Sequence, residues 1–447
     1  MKRLDLEPTK DALLESLQLD SAGRNQDAID FIKMLAETEG PYSYMIDATW
    51  GDGKTFFVKS IELILEALNP RIEGTSIDEI GSGFALDELK ESGAAFLPFY
   101  FNAWSNDFVD DPITALFASM AVEFERKDLL RVAKLKEGIA SIVDAALSLT
   151  GIPLGVAGIA KAFTSESVIP AFKGRAELRS QINALCDDSI EEVADKLVIF
   201  IDELDRCRPD FAVRLLEQTK NLFSSSNIIL VFAADSAQLA KAVAGMYGAG
   251  FDSMRFLERF FDERVTMSPV DSYSFTHDGR SLASGNRFDK LVSEIYASRE
   301  FTIRDSLRIK RKLDSARSYC LNSSAEDLAH LVAHCTVLPM LVFIEQTDIA
   351  LFRSITSGAD VDALFKYGKA YPAFINNIKD AIERSRRSFH MNEEPSLSMD
   401  DCEDYMHNLC IVIYGGNRSY SERFEAEERV GVNTAFNKRA FVRLKFD

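Results

Sequence analysis

The sequence predicts an α/β protein: a parallel sheet with helices on both faces, followed by a mostly helical region. Short apolar runs alternate with segments of helical spacing, and this alternation is typical of a doubly wound sheet. Past Pro269 the strand patterns fade. We therefore expect one domain over residues 1–270 and a helical C-terminal domain over 271–447. The predicted strands are 42–46, 96–101, 197–201, 228–233 and, at an edge, 264–267.

Helices are predicted between these strands by their apolar spacing. Residues 28–35 precede the first strand, 55–68 follow it, and 211–223 separate the third strand from the fourth. Residues 112–125 begin with a proline at the first helical position, where proline is well tolerated. Between the second and third strands we expect a helical insertion over about residues 127–180.

Composition restricts the class of protein. The net charge of −19 and the pI near 4.9 argue against a protein that coats nucleic acid, so a nucleic-acid partner is not supported by charge. The 6 cysteines form no CxxC pair, which is typical of a reduced, cytoplasmic protein. Charged residues at the start of the chain also argue against a signal peptide.

One stretch is ambiguous between core and membrane. Residues 139–160 contain a single charge, Asp144, and have the length of a membrane span. Polar residues, glycines and many alanines make insertion unfavourable. We expect a buried helical hairpin broken at 151–153, with a membrane partner as the less favoured alternative.

Residues 48–55, Ala-Thr-Trp-Gly-Asp-Gly-Lys-Thr, match the phosphate-binding pattern GxxxxGK[ST] except that alanine replaces the first glycine. Such a loop turns its amide groups inward, which needs positive φ, and Gly51 and Gly53 meet that need. Lys54 would contact the β- and γ-phosphates, and the Thr55 hydroxyl would hold Mg²⁺. The alternative is an ordinary strand–turn–helix.

The third strand ends in acids, Asp202-Glu203, directly after five apolar residues. Asp202 would hold Mg²⁺ through water, and Glu203 would orient and deprotonate the attacking water. The alternative is a strand end whose acids face solvent. Because this strand end and the phosphate loop would act on one nucleotide, we expect their strands to be neighbours in the sheet.

The fourth strand leads into Asp235. A polar residue at this strand end fits a position that senses the γ-phosphate. The alternative is that Asp235 caps the next helix, which begins with Ser236.

These segments together resemble the KAP group of P-loop NTPases. The matching stretches follow one another in order over about residues 20–270. They are 20–24 (DSAGR), 49–55 (TWGDGKT), 101–104 (FNAW), 201–207 (IDELDRC), 232–235 (FAAD) with Gln238 and Leu239, and 256–260 (FLERF).

The resemblance implies a P-loop NTPase core of the additional-strand type, with an extra strand between the two Walker strands, and ATP hydrolysis with Mg²⁺. Members of this family often have membrane segments at the position of the insertion. The resemblance also suggests bacterial antiviral defence as a biological context. Lys54 and Glu203 would then be catalytic, with Thr55 and Asp202 at the metal. The nucleotide-binding residues it implies are Arg24, Trp50, Gly51, Asp52, Gly53, Lys54, Thr55 and Phe56.

Weaker candidates remain open. Arg206 would brace Asp202 or a neighbouring subunit, or form a surface ion pair. Asn102 and Trp104 would pack in the core, with nucleotide sensing by Asn102 as the alternative. A metal site at His330, His334 and Cys335 lacks an evident fourth ligand. A basic run suggests a solvated helix face or, less favoured, a nucleic-acid site; its members are Arg304, Arg308, Lys310, Arg311 and Lys312.

Hydrolysis usually also needs an arginine, which stabilises the negative charge that develops on the γ-phosphate in the transition state. No arginine immediately flanks the phosphate loop, and the candidates follow the fourth strand in residues 254–261. On a helix, Arg255 and Arg259 would line one edge of an apolar face. We expect Arg259 to serve a neighbouring subunit of a homo-oligomer, with a surface ion pair as the alternative.

The leading hypothesis is an ATP-driven molecular switch that changes the contact between core and C-terminal region. Its output would pass to a protein effector encoded nearby. A nucleotide-binding scaffold without turnover and a membrane-associated ATPase are the rival hypotheses.

Overall fold

The structure is a computed structural model. It describes residues 7–72, 77–80, 89, 94–129, 132–149, 168–185, 187, 190–248, 250–270, 286–322, 328–388, 397–416 and 418–430. These residues divide into two compact units, one within Asp5–Val270 and one within Asp271–Asp447.

The first unit is built on a parallel five-stranded sheet in the order β2-β3-β4-β1-β5. Each predicted strand is confirmed to within a residue or so at its ends, and the last one is an edge strand as expected. The strands are β1 Tyr42–Asp47, β2 Phe96–Asn102, β3 Lys196–Asp202, β4 Ile228–Ala234 and β5 Glu263–Thr266.

β4 lies between β1 and β3. The expectation that the loop strand and the acidic strand are neighbours is therefore wrong, and the additional strand is confirmed. Adjacent strands are about 4.8 Å apart, so an inserted strand separates the two ends by about 10 Å. Side chains on the loop and on the strand ends are long enough to bridge that distance.

The strand register brings the carboxyl-terminal residues of the strands level with one another. Asn102 is paired with Asp202, and Asp202 with Ala233, while Asp47 is paired with Ala234. Since all five strands are parallel, their carboxyl ends form a single rim, which is where ligands bind in open α/β sheets.

Helices cover both faces of this sheet. The buried residues of β3 alternate, with Val198 and Phe200 on the face covered by the first three helices and Ile199 and Ile201 on the other. The helices of this unit are α1 Lys10–Leu19, α2 Asn25–Glu37, α3 Lys54–Leu68, α4 Ile77–Ile80, α5 Ala103–Asn106, α6 Pro112–Arg126, α7 Ala133–Leu149, α8 Val168–Ala184, α9 Pro209–Leu222, α10 Ser236–Tyr247 and α11 Ser253–Leu257.

The insertion contributes α7 and α8. Ile139 and Ile142 of α7 are buried in the same apolar cluster as β2 and β3. Residues 150–160, with the predicted break at 151–153, lie outside the described residues. The choice between hairpin and membrane span therefore stays a prediction.

The second unit is helical throughout its described residues and has its own apolar core. In the described part of the chain, the stretch Leu328–Thr347 alone is long and apolar enough to cross a membrane, and most of it is buried within the structure. Its helices are α12 Arg287–Ser298, α13 Ile303–Asn322, α14 Leu328–Val332, a π turn Ala333–Val337, α15 Leu338–Thr347, α16 Ile349–Thr356, α17 Ala363–Gly368, α18 Pro372–Ser388, α19 Met399–Tyr414 and α20 Tyr420–Val430.

Cys335, in the π turn, is disulfide-bonded. This departs from the expectation of uniformly reduced thiols, whereas Cys207, Cys402 and Cys410 are free.

Gly40, just before β1, offers a test of the packing. A Cβ at this position would overlap the carbonyl oxygen of Ile228 and lie 2.8 Å from that of Ser226. Because neither backbone atom can move aside cheaply, we expect Gly40→Ala to lower the free energy of unfolding by about 3 kcal/mol. The control is Gly245→Ala in α10, where a Cβ meets nothing within 4 Å. Denaturant unfolding showing equal stability for the two variants would contradict this account.

Candidate nucleotide site

The phosphate loop connects β1 to α3, as predicted. Gly51 has φ 98° and Gly53 has φ 80°, so both glycines hold the left-handed backbone that the loop requires. Ala48 has no positive φ. Alanine therefore replaces the first glycine of the pattern without backbone strain.

Lys54 lies folded over its own loop. Its Nζ donates to the carbonyl oxygens of Ala48 at 2.6 Å and Thr49 at 3.1 Å. Burial lowers the pKa of Lys54, although nearby carboxylates oppose the shift. Those carboxylates belong to Asp205, Asp235, Asp202 and Asp52.

Arg24 supports the loop through backbone contacts. Its Nη1 donates to the carbonyl oxygen of Asp52 at 2.5 Å, and its Nε and Nη2 donate to that of Ser268 at 3.0 and 2.8 Å. The buried guanidinium thus ties the loop to the segment that follows β5. Its described hydrogen bonds are to backbone carbonyls of the loop and of Ser268, so a direct contact with nucleotide stays a prediction.

The other predicted loop residues have distinct surroundings. Trp50 is half exposed, and its indole N–H donates to the buried carboxylate of Asp205. Asp52 accepts from the Thr49 hydroxyl at 2.5 Å, which closes the loop. Phe56 packs against the apolar core beneath α3.

Asp202 is the most deeply buried acid of the site, with 1% of its surface exposed. It accepts hydrogen bonds from the Tyr100 hydroxyl at 2.9 Å, from the backbone N–H of Glu203 at 2.8 Å and from Thr55. Burial raises the pKa of Asp202, and these three hydrogen bonds act in the opposite direction. The two residues predicted to hold the metal are therefore in direct contact.

Glu203 directly follows β3 and has a left-handed backbone, with φ 60°. Such a conformation is uncommon for a residue with a side chain and costs about 1–3 kcal/mol. One carboxylate oxygen accepts from Asn102 Nδ2 at 3.0 Å, and the other pairs with Arg206 Nη1 at 2.7 Å. Glu203 is thus held in a single orientation.

Arg206 forms an ion pair with Glu203, because the short 3₁₀ turn Leu204–Arg206 brings residues three apart together. Of the alternatives for Arg206, the structure shows the ion pair. The expectation that Trp104 packs in the core is wrong. Trp104 is 50% exposed and lies 5.5 Å from the Arg206 guanidinium, instead of packing in the core. Asn102 ends β2 and contacts the predicted catalytic base.

Asp235 caps α10: its side chain accepts from the backbone N–H of Gln238 at 3.1 Å. The capping alternative is therefore confirmed. Its own N–H donates to Asp205 at 3.0 Å. Asp205 thus connects the end of β4 to Trp50 of the loop, a role that was not predicted.

Arg259 lies at the opposite end of the sheet from the loop. The segment around it is fixed to the start of β1, because Asp262 N–H donates to the carbonyl of Ser43 at 2.8 Å. Asp47, where the loop begins, is four residues further along the strand than Ser43, a distance of about 13 Å. The predicted helix ends at Leu257, so Arg259 follows it in a turn. The exposed Arg259 forms no ion pair within the described residues.

The second unit holds the remaining candidates. Within the ranges described above, no group of three or more His, Cys, Asp or Glu residues is arranged for a metal, and Cys335 is disulfide-bonded. The basic run lies on α13, where Arg304 and Arg308 are exposed and Lys312 pairs with Glu345.

Tyr100 is a further site residue whose role sequence reasoning missed. It lies within an apolar run, and its role depends on the pairing of β2 with β3. The signal that could have found it is alternation: Tyr100 and Asn102 are two residues apart and so face the same side of the strand.

A sequence model of the KAP family P-loop domain matches residues 24–311. No curated protein matches the chain. The match covers both Walker motifs and continues past Val270 into α13. With a phosphate loop, an acidic strand end and an additional strand between them, the chain belongs to the KAP family of P-loop NTPases.

Proposed function

We propose that the protein binds ATP with Mg²⁺ and hydrolyses it, and that it acts as a molecular switch whose state is passed to a protein effector. The proposal rests on four side chains at the carboxyl end of the sheet. Lys54 lies over the loop, Thr55 is in contact with Asp202, and Glu203 is next to Asp202. Together they supply a cation, oxygen ligands and a base.

The oxygen donors of Thr55 and Asp202 fit Mg²⁺, which prefers hydroxyl, carboxylate and water ligands. When bound, Mg²⁺ would neutralise charge on the phosphate oxygens. Lys54 would add a cation, and the first turn of α3 would point its N–H groups at the phosphates.

Glu203 would accept the proton of the attacking water. A general base is efficient when it is positioned before the reaction, and Arg206 and Asn102 each hold one oxygen of its carboxylate. The strained backbone at Glu203 is consistent with a functional position.

The position of Arg259 supports the proposal of a homo-oligomer. It is too far from its own loop to reach a γ-phosphate, so it would have to serve a second copy. The amino end of one sheet would then meet the carboxyl end of the next, a head-to-tail contact that forms rings or filaments. Cytoplasmic location and antiviral defence are proposed from composition and family resemblance alone.

Lys54→Ala should weaken ATP binding by about 100-fold, because it removes charge-assisted hydrogen bonds to the phosphates. Isothermal titration measures this directly. Lys241→Ala, an exposed lysine of α10, is the matched control and should bind like the wild type. Unchanged affinity in the Lys54 variant would show that the loop does not bind phosphate.

Glu203→Gln should leave ATP binding intact and lower turnover by about 100-fold or more, because the amide cannot accept the proton. Phosphate release is the measurement, and exposed Glu217→Gln is the control. Full turnover in the Glu203 variant would move the base to another acid, with Asp205 as the next candidate.

Arg259→Ala should lower turnover by about 1,000-fold without weakening ATP binding, since an arginine finger acts on the transition state. ATP should also promote self-association of the wild type, measured by light scattering. Mixing Arg259→Ala with Glu203→Gln should restore part of the activity, because a mixed contact contains one intact base and one intact arginine. Turnover that is independent of protein concentration, with no rescue on mixing, would exclude a finger between subunits.

A further inference from the structure

Near its carboxyl end, β2 carries two polar side chains that contact the acids at the end of the neighbouring strand β3. Tyr100 donates to Asp202 at 2.9 Å, and Asn102 donates to Glu203 at 3.0 Å. The parallel register places Asn102 directly beside Asp202. Each of the two acids therefore has its own donor on the neighbouring strand.

The hydroxyl of Tyr100 limits how the Asp202 carboxylate can turn. A carboxylate has roughly four acceptor positions. Three donors already meet Asp202, and they come from α3, β2 and the turn after β3. The carboxylate orientation toward the Thr55 hydroxyl is thus set by elements on different sides of it.

The ring of Tyr100 is also in contact with a cation. Lys59 Nζ lies 3.5 Å from the ring centroid, a cation–π contact. Lys59 is one helical turn after Thr55 on α3, so it belongs to the helix that carries the metal-binding hydroxyl.

Lys59 is fixed in turn by a partly buried charge network. It pairs with Glu62 at 2.7 Å, and Glu62 meets Lys127 at 3.4 Å. Lys127 also contacts Glu66 and, at 3.3 Å, Glu123. This network connects α3 to the end of α6, so Lys59 has little freedom to leave the ring.

We propose that Tyr100 is a positioning residue of the metal site: its hydroxyl, with Lys59 on its ring, holds Asp202 in the orientation that binds Mg²⁺. The inference rests on the proposed function, because it assumes that Asp202 and Thr55 bind Mg²⁺ with nucleotide. Outer partners of metal ligands typically contribute about 10- to 100-fold in affinity or activity.

The test is the gain in affinity for a non-hydrolysable ATP analogue when Mg²⁺ replaces EDTA, measured by titration. Tyr100→Phe keeps the ring and removes the hydroxyl, and it should reduce this gain by about 10- to 100-fold. Affinity in EDTA should not change, because Tyr100 acts through the metal ligand. Tyr42→Phe is the control, since the Tyr42 hydroxyl contacts the exposed Glu263 at 3.3 Å.

Lys59 gives a second, independent variant. Lys59→Met should reduce the gain by about threefold, and Lys59→Arg should restore it, because arginine also provides a cation for the ring. In the Y100F background, Lys59→Met should have no further effect on the gain.

The outcomes separate the two hypotheses. A wild-type protein whose analogue binding does not depend on Mg²⁺ would overturn the metal site itself. A wild type with clear Mg²⁺ dependence and a Tyr100→Phe variant with the same dependence would overturn the role of Tyr100 alone. A loss of affinity in EDTA as large as that in Mg²⁺ would also overturn it, because it would indicate a general structural effect.

Discussion

The site depends on one buried charge. Asp202 has almost no exposed surface, so the cost of removing its carboxylate from water must be offset by hydrogen bonds. Those bonds come from Thr55 on α3, Tyr100 on β2 and the backbone of Glu203. The hydrogen bonds to this one carboxylate therefore hold α3, β2 and the turn after β3 in place relative to one another.

Local patterns were sufficient to predict the strands and the loop. Buried strands of a parallel sheet are almost continuously apolar, so they are visible in the sequence whatever their neighbours are. Gly51 and Gly53 were predicted because positive φ is a local requirement, and the loop has it at both. Family resemblance supplied the additional strand, which a single sequence does not encode locally.

Contacts between distant segments could not be predicted in the same way. Tyr100 looks like one more residue of an apolar strand until β2 is placed beside β3. For Arg206 the alternatives stayed open, because the tight turn after Glu203 that brings the two side chains together was not visible in the sequence. The apolar spacing around Arg259 suggested a continuous helix, but the chain must turn there to start β5 at the far end of the sheet.

The two ends of the parallel sheet in the first unit carry different candidate residues. The carboxyl end of the sheet holds the loop and the acids, whereas Arg259 lies near its amino end. A parallel sheet is polar in this sense, so any arginine supplied from the amino end has to come from another molecule. If Arg259 acts as the proposed finger, catalysis would be a property of an assembly.

Phosphate release in a single turnover tests the central claim most directly. Wild-type protein in excess over ATP should convert nearly all of the bound ATP to ADP and phosphate in the presence of Mg²⁺, and none when EDTA replaces it. ATP that binds tightly with Mg²⁺ and remains intact over many hours would contradict the account, because it would make the protein a nucleotide-binding scaffold.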